Sequence, residues 1–137
     1  MKTTDDLTGT LVLVHPDLTG DPAKRQGQIG IVTGADLSND DIFVSFGKGE
    51  QALYSTDALL VFKPAAEIYG LLMNDARNAG KEDFKALFQV NLMQQHNTSG
   101  LVRKAMDIVK DNKVVREFSM DTLEHQLKIS QNRGYEY

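Results

Sequence analysis

The chain has 137 residues, 41% hydrophobic and 25% charged, the proportions of an ordinary globular protein of one domain or two very small ones. Fifteen Lys and Arg stand against nineteen Asp and Glu, a net charge of −4, which argues against a protein that wraps a polyanion. There is no cysteine, so disulfides, thiol catalysis and thiolate-ligated zinc are excluded.

The start, Met1 to Asp6, places two aspartates before any apolar stretch, which predicts no secretory leader. No apolar run approaches the roughly 20 residues needed to span a bilayer. With no cysteine to oxidise, the cytoplasm is the expected setting.

From Leu7 to Lys63 the residues alternate as in strands. Leu11–Val14 predicts a first strand, ended by His15-Pro16, and a long polar loop follows over Asp17–Gly27. Gln28–Thr33 predicts a second strand and Asp41–Phe46 a third, with Ile42, Val44 and Phe46 turned toward one face. The glycine hairpin Gly47–Glu50 leads to a fourth over Gln51–Ser55, and Leu60–Phe62 is a short fifth. Five strands this short predict a small curled barrel rather than an open sheet.

At Pro64 the period becomes helical. Helices are predicted over Ala65–Ala79, stopped by Gly80, and over Lys81–Gln95, with Glu82 and Asp83 in the first turn. A third is predicted over Ser99–Asn112 behind Thr98 or Ser99 as cap. Lys113–Phe118 is ambiguous, its Val114-Val115 favouring an extended connector, and a fourth helix is expected to start at Asp121. The chain thus reads as α+β: a barrel at 1–63, then three or four short helices at 64–137 packed against it.

Gly9–Val14, a loop, and then Gly27-Gln28-Ile29-Gly30-Ile31-Val32 resemble the KOW-type and related SH3-like barrels. The later order is also similar: Ile42–Phe46, a glycine hairpin, a strand ending at Tyr54, one helical turn over Ser55–Leu60 and a last short strand. The resemblance covers about Leu7 to Phe62 and implies a five-stranded SH3-like barrel. It implies nucleic-acid, ribosome or peptide binding, or scaffolding, without choosing among them.

Charge separates these options. Residues 1–63 carry five basic and nine acidic groups, whereas residues 64–137 carry ten of each. The acidic excess sits on the barrel, where a phosphate binder needs cations. Candidate nucleic-acid contacts are Lys24 and Arg25 in the first loop and Arg103 and Lys104 on the third helix. His15, His96 and His125 lack the close spacing of metal ligands. Asp36–Asp41 opens like a calcium loop but lacks the glycine and glutamate that would complete one. No nucleophile–base set is evident, so neither catalysis nor a cofactor is expected. Phe43 points away from the predicted core, where the apolar side of the C-terminal helices is expected to cover it; the other reading is that Tyr54 joins it in a partner-binding aromatic pair. The expected role is a non-enzymatic module that binds a protein; nucleic-acid or ribosome association is the alternative.

Overall fold

The computed structural model describes residues 7–18, 24–74, 80–96 and 98–134, with backbone only over 129–134. The protein is α+β. Six strands form a curled antiparallel half-barrel, and there are five α-helices among the described residues. The chain divides into two compact units, Met1–Val61 with Thr122–Tyr137, and Phe62–Asp121.

The strands are β1 (Leu11–Val14), β2 (Ile29–Asp36), β3 (Asp41–Gly47), β4 (Glu50–Tyr54), β5 (Leu59–Phe62) and β6 (Met120–Thr122). Their order in the sheet is β4-β3-β2-β1-β5-β6. Between β4 and β5, Thr56–Ala58 forms a single 3-10 turn. The short β6 was not evident in the sequence, because three residues, Met-Asp-Thr, carry no alternation.

One face of the sheet holds the core of the strand unit: Val12, Val14, Val32, Ile42, Val44, Tyr54, Leu59 and Val61. The final helix, α5 (Leu123–Gly134), adds Leu123 and Leu127 to this core. Burying each such leucine favours folding by about 1.5–3 kcal/mol. Residues β1 and β5 also bury on the opposite face, Leu11, Leu13 and Leu60, are all less than a tenth exposed. Burial on both faces accounts for the unbroken apolar runs of these two strands.

Two bulges set the register. Val32 pairs with Val44 but Gly34 pairs with Phe43, so Thr33 is an extra residue in β2. Ser45 pairs with Gln51 but Gly47 pairs with Glu50, so Phe46 is an extra residue in β3. Gly30 lies where the backbones come closest. A Cβ there would sit 2.4 Å from Val44 Cγ1 and 3.0 Å from the Ser45 carbonyl oxygen. Gly27 has open space around it but a φ of +77°, a conformation that disfavours side chains.

The second unit is helical: α1 (Ala65–Asn74), α2 (Lys81–His96), α3 (Ser99–Val109) and α4 (Lys113–Ser119). The predicted continuation of the first helix, residues 75–79, lies outside the described residues. Helix α2 is central and packs against α1, α3 and α4. Its buried Asn91 donates through Nδ2 to the Ala65 carbonyl at 2.9 Å, and Gln94 donates to the Lys63 carbonyl. The Lys63 amide donates to the Ser119 carbonyl at 2.9 Å, so the ends of this unit lie side by side.

Three termini show how local chemistry decides. Thr98 caps α3, its Oγ1 accepting from the Leu101 amide at 3.3 Å. Residues 113–118, ambiguous by sequence with Val114-Val115 favouring an extended connector, belong to helix α4. Asn112 is the reason: its Oδ1 accepts from the Val115 amide at 3.1 Å, and its Nδ2 donates to Asp83 at 3.0 Å. That cap and the burial of Val115 outweigh the strand preference of two valines. Helix α5 starts at Leu123 rather than Asp121, because Thr122 Oγ1 accepts from the His125 amide at 3.2 Å.

Candidate interaction surface

Strands β2, β3 and β4 turn their second face outward. Its apolar residues are Ile31, Phe43 and Leu53, which are 38%, 43% and 53% exposed. Phe43 and Leu53 are directly paired across β3 and β4. The Phe43 ring covers the glycine of the neighbouring strand: a Cβ at Gly34 would lie 3.7 Å from Phe43 Cδ2. Ser45, paired with both Ile31 and Gln51, continues the same face. Among the described residues β4 pairs only with β3, so the surface reaches the end of the sheet. Unpaired strand edges and exposed apolar residues together form an adhesive surface.

The structure does not bring Phe43 and Tyr54 together. Tyr54 is 6% exposed and belongs to the core on the other face. Its ring meets Phe46 edge-on, with centroids 6.4 Å apart. Leu53, not Tyr54, is the neighbour of Phe43. The bulge at Phe46 explains the exchange. A hairpin paired from Gly47↔Glu50 without it would set Phe43 opposite Tyr54, and a slip of one residue reverses every later side chain.

The predicted cationic residues fall in different units. Lys24 and Arg25 lie in the strand unit, Arg103 and Lys104 in the helical one. Lys24 is exposed, with a φ of +55°. Arg25 is committed within its own unit. Its guanidinium forms an ion pair with Glu50, donates to Gln28 Oε1 at 3.1 Å, and lies 5.2 Å from the centre of the Phe46 ring. Arg103 and Lys104 are exposed on α3. Arg116 is 9% exposed and donates to the carbonyls of Lys110 at 2.8 Å and Val109 at 3.4 Å. It closes the C-terminal end of α3, where a cation meets the negative pole of the helix.

The acidic end of the sheet is built differently. Asp36 and Asp41 face each other across β2 and β3. Asp36 accepts from Ser38 Oγ and Asn39 Nδ2, both at 2.7 Å, and these bonds hold its carboxyl below the ordinary range. Asp40, at φ +56°, accepts from the Thr56 amide at 2.8 Å and Thr56 Oγ1 at 2.7 Å. Within the loop likened to a calcium site, Asp36 is thus bonded inside its own turn and Asp40 to the 3-10 turn at Thr56. Among the described residues, no group of three or more His, Asp or Glu converges as a metal site. No described helix is long and apolar enough to cross a membrane.

The helical unit has exposed apolar residues of its own. Tyr69 and Met73 lie one turn apart on α1, and Phe88 and Leu92 one turn apart on α2. Phe84, Lys85, Phe88 and Gln89 line an open hollow on α2. Comparison with family models, with curated proteins and with solved structures gives no match.

Proposed function

We propose that the protein is a non-enzymatic interaction module. Its strand unit serves as an SH3-like barrel, and the outer face of β2, β3 and β4 binds a protein partner in the cytoplasm. The observation that carries this reading is the exposure of Ile31, Phe43 and Leu53 on one face of three adjacent strands ending at an open edge. Water contact with three large apolar side chains is unfavourable, and a partner that covers them gains about 25 cal/mol for each Å² removed from water. Nucleic-acid association has less support. Six basic residues oppose eleven acidic ones in the strand unit, and its Arg25 is already neutralised by Glu50.

The double substitution Phe43→Thr with Leu53→Gln tests the proposal. Both side chains are more than two fifths exposed, so the thermal midpoint is expected to stay within about 3 °C of wild type. Binding to the partner is expected to weaken at least about tenfold, as for central apolar anchors of an interface. Unchanged binding by the folded double variant would refute this role for the face.

A further inference from the structure

The charges at one end of the outer face say what kind of segment fits it. Asp36 and Asp41 oppose each other there, on the same face as Phe43 and Leu53. Among the described residues no cation pairs with either carboxylate. Like charges directly opposite on neighbouring strands are unfavourable, and a cation placed between them relieves the repulsion. The hydrogen bonds from Ser38 and Asn39 favour the ionised form of Asp36.

The geometry points to an extended peptide segment that adds to the edge of β4, sets an apolar side chain beside Leu53 and Phe43, and brings a Lys or Arg toward Asp41, the nearer of the two carboxylates. This rests on the interaction-module reading and names the chemistry of its partner. Strand addition supplies backbone hydrogen bonds from β4, and alternate side chains of the added strand fall on the outer face. Asp41 is two residues from Phe43 along β3, so the apolar and basic residues of the segment are also two apart. The basic residue lies toward the Tyr54 end of β4.

A displayed library of random seven-residue peptides, selected on the intact protein, tests this. Peptides that also bind the Phe43→Thr or Leu53→Gln variant are discarded. The surviving sequences are expected to carry a β-branched or aromatic residue with Lys or Arg two positions away. Replacing that basic residue by Gln in a synthetic peptide should weaken binding roughly fivefold, within the range of an exposed ion pair. The protein variant Asp36→Asn with Asp41→Asn should show the same loss. Asp41→Asn alone, which leaves the bonds from Ser38 and Asn39 to Asp36 in place, should lose most of the binding as well, which separates the charge effect from disruption of that turn. Face-dependent peptides that are neutral or acidic, or that bind the Asn variant equally well, would overturn the charge assignment and leave the interaction surface standing. If no peptide depends on Phe43 or Leu53, both readings fall.

Discussion

Gly30→Ala is expected to destabilise the strand unit by about 3 kcal/mol, at the upper end of the usual cost of overpacking. The added methyl would lie 2.4 Å from Val44 Cγ1, a distance real Cβ atoms essentially never show. Val44 is fully buried and β-branched, so its methyl has no free rotamer to retreat into. The Ser45 carbonyl oxygen at 3.0 Å and Phe46 Cδ1 at 3.1 Å close the other directions. Two parallel substitutions isolate this cause. Gly27→Ala meets no atom within 4 Å, and its strain at φ +77° should cost only about 1–2 kcal/mol. Gly70→Ala, inside α1 with nothing within 4 Å, should instead stabilise the protein by about 0.5–1 kcal/mol. Urea unfolding of the three variants provides the measurement. Equal effects at positions 27 and 30 would mean that close packing of β2 on β3 is not what excludes a side chain at Gly30.

Arg116→Met is expected to cost about 2 kcal/mol in the helical unit, the scale of a hydrogen bond from a charged donor. Met preserves much of the apolar stem but has no donor, so the carbonyls of Val109 and Lys110 lose their partner. These are the last carbonyls of α3, which has no glycine to end it in the usual way. Arg116→Lys should recover part of the loss, because one ammonium can still reach the carbonyl at 2.8 Å. Amide exchange should be faster in the last turn of α3 in the Met variant than in wild type. If both variants unfold at the wild-type urea concentration, the guanidinium is not a structural cap.

The α+β composition, the positions of the first five strands and the first three helix starts were legible, because they depend on local period and turn chemistry. What was not legible depends on contacts across sequence distance. Val114-Val115 reads as strand, and only the doubly bonded Asn112, tied to Asp83 nearly thirty positions earlier, makes it a helix. Thr122 was passed over for Asp121 as the α5 cap, since both residue types suit the position. Arg116 looked like a surface cation, and its partners are backbone carbonyls that carry no sequence signature.

The candidate surface was half visible. The alternation of β3 places Phe43 outward, and it is 43% exposed where cover was expected. Its neighbour was misassigned because a bulge of one residue at Phe46 separates the pairing at Gly47 from the pairing at Ser45. The φ of +93° at Gly47 accompanies that bulge, and glycine there was the available sign of it. Ile31 was hidden for a similar reason. It sits between two inward positions, Gly30 and Val32, in a segment whose glycines drew the eye to the turn rather than to the outer face.

A photo-reactive amino acid at position 53 tests the central claim most directly. Leu53 is the most exposed of the three apolar residues and lies on the open edge strand. Irradiating cells that produce this variant should give a discrete cross-linked product, absent when the same group replaces exposed Lys128 on α5, and lost when Phe43→Thr is added. No product from position 53, or the same products from positions 53 and 128, would contradict the assignment of this face as the binding surface.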